Sequence, residues 1–157
     1  GTIATGETTE EVTGVSWFDH QWGDFSIGLL SRNWFGLQLK DGTDITIYQL
    51  RDKSSRSILY AGSISRNGIT ETLVDADFTI VPGNKWTSRK SNITYPVEWT
   101  IDIPKKNINV TVQSINESNE FDATLTSYKI YWKGAVNVQG SHTGLGFMEL
   151  YYMDKKD

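Results

Sequence analysis

The chain has 157 residues, a formal net charge of −4 and no cysteine. Its length suits one domain, because a compact domain of this size buries roughly 70% of the surface that the unfolded chain exposes. The lack of cysteine excludes disulfides and thiolate metal sites. The net negative charge argues against nucleic acid as a partner, since the sequence has no basic stripe to neutralise phosphates. No apolar run reaches the roughly 20 residues of a membrane-spanning helix, so no transmembrane segment is expected.

Strand-like alternation is the dominant pattern along the chain. Residues 34–39 and 44–51 are rich in aromatic and β-branched side chains and flank Lys40-Asp41-Gly42-Thr43. Because an Asp-Gly pair accommodates positive φ, a hairpin is predicted here. Strands are also predicted at 12–18, 57–65, 72–80, 97–103, 107–115, 123–138 and 146–153. With no helical spacing over several turns, the pattern predicts a single all-β domain, an antiparallel barrel or sandwich.

Two polar segments interrupt this pattern and are predicted to form loops over an opening. Residues 82–92 place one tryptophan, Trp86, among basic and polar residues, and residues 116–122 are acidic and polar. Loops carry binding residues more often than the scaffold does. Trp86 therefore has two interpretations, a lid over a ligand or an aromatic ring that covers one end of the core.

The run 16–23 holds the most informative chemistry, because Asp19 and His20 lie among the aromatic residues Trp17, Phe18 and Trp22. Aromatic walls desolvate a carboxyl group and raise its pKa, so Asp19 is predicted to hold a proton at neutral pH and to donate it to a substrate. The alternative is a strand whose aromatic rings face the core while Asp19 and His20 satisfy nearby backbone groups.

Other catalytic signatures are missing. There is no Gly-x-Ser-x-Gly elbow, and Ser141 and His142 are expected to point to opposite faces of a strand, as neighbours in a strand do. His20 and His142 lack the i, i+4 helical spacing of zinc sites. The sequence therefore predicts neither a metal nor a cofactor.

Several stretches, in this order, are similar to one known family. They are Val12-Thr13-Gly14-Val15-Ser16-Trp17-Phe18-Asp19-His20-Gln21-Trp22-Gly23, Trp34-Phe35-Gly36-Leu37-Gln38-Leu39-Lys40-Asp41-Gly42, Tyr48-Gln49-Leu50-Arg51, Tyr95-Pro96 with Trp99 and Pro104, Tyr131-Trp132-Lys133-Gly134-Ala135-Val136, and Gly144-Leu145-Gly146-Phe147-Met148-Glu149-Leu150. Together they resemble the AttH and carotenoid hydratase (hydroxyneurosporene synthase) family over nearly the entire chain. The Trp-x-Asp-His-x-Trp-Gly element is fairly specific.

The resemblance implies a lipocalin-like antiparallel barrel over residues 1–157, the second of two such barrels in a parent protein. It also implies binding of an apolar isoprenoid or polyketide molecule. Some relatives hydrate a carbon–carbon double bond and others promote cyclisation, and Asp19 occupies the position of the aspartate thought to protonate the alkene. Two departures count against hydration in particular: Trp17 replaces a tyrosine of the hydratases, and Leu150-Tyr151-Tyr152 replaces Leu-Thr-Gly-Tyr.

The leading hypothesis is an apolar pocket that forms half of a hydratase or cyclase active site, a lyase or isomerase chemistry. The pocket is expected at the mouth or floor of the barrel. Its candidate catalytic residues are Asp19 and His20, and its candidate substrate-binding residues are Trp17, Trp22, Trp34, Tyr48 and Glu149. His20 is alternatively a partner for a neighbouring strand, because alternation directs it away from Asp19.

Two other hypotheses stay open. In the first, the domain is a noncatalytic carrier, or a docking domain whose pocket is filled by its own side chains. In the second, the domain is inert until the upstream barrel completes the site. The expected partners are thus an apolar small molecule and that barrel. The sequence does not identify the compartment, and a secreted or cell-envelope parent is compatible with it.

Overall fold

The structure is a computed structural model that describes residues 1–18, 30–127 and 129–152. These residues form β-strands with one short helical turn, α1 (Thr124–Ser127). The strands are β1 (Thr2–Thr5), β2 (Thr8–Glu11), β3 (Ser31–Leu39), β4 (Thr43–Arg51), β5 (Ser57–Arg66), β6 (Ile69–Val74), β7 (Thr79–Pro82), β8 (Lys85–Thr87), β9 (Thr94–Pro96), β10 (Glu98–Ile103), β11 (Ile108–Ser114), β12 (Glu120–Ala123), β13 (Lys129–Gly140) and β14 (Gly144–Tyr151). Within the described ranges, no helix is long and apolar enough to span a bilayer.

One antiparallel sheet carries ten of these strands, in the order β6-β5-β4-β3-β14-β13-β11-β10-β7, with β12 paired to the start of β13. The sheet curls into a half-barrel. Its two edges, β6 and β7, are consecutive in the chain and are joined by a 3-10 turn over Asp75–Asp77. The predicted all-β class, a lipocalin-like antiparallel barrel, is confirmed.

Ion pairs strengthen the join between the two edges. Lys105, in the connection between β10 and β11, donates to Asp77 at 2.7 Å, and Lys106 donates to Glu71 of β6 at 2.6 Å. The hydrogen bonds from Lys105 and from the Val74 backbone N–H lower the pKa of Asp77 below its usual range. The gap between the strand edges is therefore bridged by the covalent chain and by side chains.

Large apolar side chains fill the inner face of the curled sheet. Phe35, Ile47, Trp132 and Met148 are fully buried there, and Phe35 packs edge-to-face on Trp99 with ring centroids 5.4 Å apart. Because side chains alternate between the two faces of a strand, each strand contributes every second residue to this interior. The described residues thus form a packed core along the inside of the barrel.

A polar network occupies one end of this core. Asn33 donates to the Gln49 side-chain oxygen at 2.6 Å, and Gln49 donates to Ser57 at 2.8 Å and to the Tyr60 hydroxyl at 2.7 Å. Tyr152 completes the network by donating to Asn33 at 3.0 Å. Burial desolvates the Tyr152 hydroxyl and raises its pKa. These contacts satisfy polar groups that would otherwise destabilise a buried position.

Three predicted strands need correction. Residues 12–18 do not form a strand, and the strands near the N-terminus are instead β1 and β2, which pair with each other. The strand predicted at 72–80 is divided, because the Asp77 carboxylate accepts the Val74 N–H at 3.0 Å and turns the chain between β6 and β7. The strand predicted at 123–138 begins only at Lys129, after the helical turn α1.

The segment predicted as a loop at 82–92 contains β8, which pairs with β9 in a separate sheet. Trp86 stacks on Tyr95 at 6.2 Å and packs against the core, as its second interpretation expects. Glu120 fixes this segment by accepting hydrogen bonds from Ser88 at 2.8 Å, Tyr95 at 3.1 Å and Ser91. In the other predicted loop, 116–122, the strand β12 supplies this carboxylate.

Truncating the interior is expected to be costly. Phe35→Ala should lower the free energy of unfolding by about 3–5 kcal/mol, because it removes a fully buried ring and leaves a cavity. Leu125 is 99% exposed, so Leu125→Ala should change stability by less than about 0.5 kcal/mol. Urea unfolding of the two variants and the parent chain measures both values, and equal midpoints would contradict this view of the core.

Candidate functional site

The outer face of β13, β14, β3 and β4 gathers residues that the interior does not use. Strand register places Lys133 opposite Glu149, Glu149 opposite Trp34, and Trp34 opposite Tyr48, so these four side chains form one row across four strands. Trp34 is only 7% exposed although it does not belong to the interior core. Protein outside the sheet therefore covers this face at Trp34.

The next row along the strands contains Ala135, Phe147, Gly36 and Thr46. Its two small residues leave space beside the large rings of the first row. A cavity of about 510 Å³ lies over this face. It is lined by Val15, Ser16, Trp17, Arg32, Trp34, Gly36, Gln38, Tyr48, Ile115, Ala135, Val136, Leu145, Gly146, Phe147 and Glu149.

Trp17 forms one wall of the cavity. Its ring meets the ring of Trp34 edge-to-face, with centroids 5.8 Å apart. Gly36 makes this approach possible, because a Cβ atom there would lie 2.7 Å from Trp34 Cη2 and 3.0 Å from Trp17 Cδ2. The neighbouring Phe18 is 87% exposed. The segment before position 19 thus directs one of its two adjacent aromatic rings into the cavity.

One end of this cavity is charged. Arg32 donates to one carboxylate oxygen of Glu149, and Lys133 Nζ lies 2.5 Å from the other. The side chains of Arg32 and Glu149 are 15% and 13% exposed. The Tyr131 ring lies 4.9 Å from Lys133 Nζ and 5.7 Å from the Arg32 guanidinium carbon. Each of the two Glu149 carboxyl oxygens therefore contacts one cation.

The structure brings four of the seven predicted site residues to this cavity: Trp17, Trp34, Tyr48 and Glu149. Asp19, His20 and Trp22 lie outside the described residues. This cavity lies on the outer face of the sheet, whereas the inner face holds the packed core. The pocket predicted at the mouth or floor of the barrel depends on Asp19, which lies outside the described residues, and it stays a prediction.

Arg32 and Gly36 were not among the residues predicted for the site. A usable signal was present, because Trp34 and Phe35 are adjacent large aromatics that alternation must direct to opposite faces. A strand that is apolar on both sides is covered on both sides. The adjacent aromatics Trp34 and Phe35 thus predict a second buried face of the sheet, but they do not predict the charged cluster beside it.

The Ser141–His142 pair also needs correction. These residues lie in a bend between β13 and β14, so Ser141 Oγ and His142 Nδ1 approach to 3.0 Å instead of diverging. The Ser141 hydroxyl accepts the Asn109 N–H at 2.8 Å, and His142 lies 3.8 Å from Asp41. These contacts account for both side chains as parts of the turn.

Across the described ranges, no group of three or more acidic or histidine side chains is arranged to hold a metal ion.

Filling Gly36 tests the geometry of the cavity. Gly36→Ala should displace the Trp17 ring and destabilise the fold by about 1–3 kcal/mol, because the added methyl group collides with two indoles. Gly14→Ala is the matched control, since a Cβ atom there meets nothing within 4 Å. Near-ultraviolet circular dichroism and urea unfolding detect the two effects. A Gly36→Ala spectrum identical to that of Gly14→Ala would contradict this packing.

Comparison with known proteins places these features in a family. Residues 1–152 match the model of the AttH-like family. Dehydratase asqC of Emericella nidulans is 27% identical over 150 residues, covering 88% of this chain and 42% of that protein.

Two crystal structures share the fold, each with a TM-score of 0.70. An AttH homologue from Nitrosomonas europaea is 24% identical, over 76% of this chain and 38% of its own. Kievitone hydratase from Nectria haematococca is 18% identical, over 88% of this chain and 44% of its own. This chain thus spans less than half the length of these relatives. The match over nearly the whole chain shows that it belongs to the AttH-like family.

Proposed function

We propose that this domain supplies part of a hydratase or dehydratase active site, in which the outer-face cavity binds an apolar molecule and Asp19 is the general acid. The observation that carries the proposal is the aromatic wall made by Trp17 and Trp34. Trp17 lies two residues before Asp19 in the sequence. Membership of the AttH-like family and the similarity to a dehydratase support this class of reaction.

The chemistry suits such a wall. In hydration, the proton of the Asp19 carboxyl group bonds to one alkene carbon, and the electron pair of the double bond forms that bond. The other alkene carbon becomes a cation, which the negative faces of Trp17 and Trp34 stabilise. Water then bonds to the cation and loses a proton, and Asp19 regains one. Dehydration is the same sequence reversed. His20 is the second candidate for transferring the proton of the water molecule.

Glu149 has a different role in this proposal. Both of its carboxyl oxygens are engaged in ion pairs, one with Arg32 and the other with Lys133. It instead positions the two cations at the end of the cavity. Asp19 is therefore the better candidate for the acid.

The preceding barrel of a longer parent protein is proposed as the partner that closes the cavity. Ile115, Leu145 and Phe147 line the cavity and are exposed, as expected of a surface that another domain covers. The chain spans 42% of the dehydratase and 44% of the hydratase, which leaves room for such a domain.

A noncatalytic docking domain is the second candidate function. The interior favours it, because the buried side chains of the described core occupy the inner face of the sheet, where a small-molecule carrier binds its ligand. In this case the exposed apolar rim serves only to bind the neighbouring domain. Ligand binding and turnover, measured separately, distinguish the two functions.

Binding is measured with N-phenyl-1-naphthylamine, an uncharged apolar dye whose fluorescence rises in an apolar site. Trp17→Ala should weaken its binding by about tenfold, because a buried aromatic contact is worth about 1.4 kcal/mol or more. Phe18→Ala is the matched control and should leave binding within about twofold, since that ring is 87% exposed. Equal dye affinity in the two variants would contradict a binding site at this cavity.

Turnover is measured in water enriched in ¹⁸O, with apolar trisubstituted alkenes as probe substrates and mass spectrometry of the products. The full-length parent protein is expected to incorporate one labelled oxygen. Asp19→Asn should abolish incorporation and leave dye binding and the unfolding midpoint unchanged, because the amide has no acidic proton to donate. Normal incorporation by this variant would refute the role of Asp19. The absence of both dye binding and turnover in the parent protein would favour the docking function.

A further inference from the structure

The charged end of the outer-face cavity is built from more positive than negative charge. Arg32 and Lys133 both contact Glu149, so one positive charge is in excess among the three side chains. Arg32 Nε is buried and has no hydrogen-bond partner in the described part of the chain. A desolvated cation without full compensation is costly, and an anion at the same place removes the cost.

We propose that Arg32 and Lys133 bind the acidic group of the ligand, so that the molecule in this cavity is an apolar organic anion such as a carboxylate. This inference rests on the proposed binding site and narrows its ligand class. The apolar part of the ligand lies along Trp34, Leu145 and Phe147. Its acidic group lies at the charged end, where Arg32 and Glu149 line the cavity. Lys133 lies beside them, in contact with Glu149, and its side chain is 38% exposed.

The geometry allows the two cations to bind an acidic group of a ligand in addition to Glu149. The carboxylate of Glu149 uses one oxygen for Arg32 and the other for Lys133, so it lies between them and holds both near one point. Both cations also lie over the Tyr131 ring. A guanidinium group has five N–H donors in a fixed plane, and the ion pair with Glu149 leaves most of them for a second acceptor.

A matched pair of dyes tests this inference. 8-Anilino-1-naphthalenesulfonate is N-phenyl-1-naphthylamine with one sulfonate group added, so the ratio of their affinities isolates the acidic group. Lys133→Gln should weaken sulfonate-dye binding about three- to fivefold and leave neutral-dye binding within about twofold. Glu149→Gln should tighten sulfonate-dye binding by a similar factor, because it removes the competing carboxylate.

Two controls define the comparison. Lys85→Gln removes the same charge from an exposed position in β8, away from the strands that carry Arg32 and Glu149, and it should leave the binding of both dyes unaffected. Raising the salt concentration from about 0.05 to about 0.5 M should weaken the sulfonate dye more than the neutral dye.

The failures of the two proposals differ. If the neutral dye binds and requires Trp17, but Lys133→Gln and Glu149→Gln leave the affinity ratio of the dyes unchanged, the inference about the acidic group is wrong and the binding site stands. If Trp17→Ala weakens the binding of neither dye, the proposed binding site itself is wrong. Lys133 is exposed enough for its variant to fold, and an unfolding curve for each variant confirms that the comparison concerns folded protein.

Discussion

The covering of β3 on both faces is the constraint on which the rest of the structure depends. Phe35 and Leu37 face the packed interior, while Trp34 and Gly36 face outward. Because Trp34 is almost completely buried on the outward side, the sheet has a second apolar surface that a lone barrel would not need. Trp17 supplies part of the cover by packing on Trp34. The fold and the candidate site therefore share one strand.

That shared strand explains why the cavity and the core do not compete for space. In a barrel that binds its ligand in the lumen, enlarging the site removes core contacts and costs stability. Here the interior is filled by Ile47, Trp132 and Met148, and the cavity is made by small residues on the other face. Substitutions at Ala135 or Phe147 can change the shape of the cavity with little effect on the interior, because their side chains point away from it.

Much of this fold follows from sequence patterns, and much of the site does not. The hairpin of β3 and β4 follows from an Asp-Gly turn between alternating segments, and its register alone brings Trp34 opposite Tyr48. The contact of Trp17 with Trp34 cannot be predicted in this way, because residues 12–18 belong to no strand and no register rule places them. The same holds for the cluster of Glu149, Arg32 and Lys133. Glu149 and Arg32 are 117 residues apart, and only the pairing of β14 with β3 brings them together.

The ion pairs in that cluster also constrain what the cavity can bind. Glu149 engages Arg32 through one oxygen and Lys133 through the other, so one positive charge is in excess among the three side chains. Apolar surface lies beside this charge, because Trp34 and Arg32 both line the cavity. A neutral ligand would leave the excess charge uncompensated, whereas an anionic ligand would compensate it on binding. The charge at this end and the apolar surface along the rest of the cavity therefore favour the same class of molecule, an apolar anion.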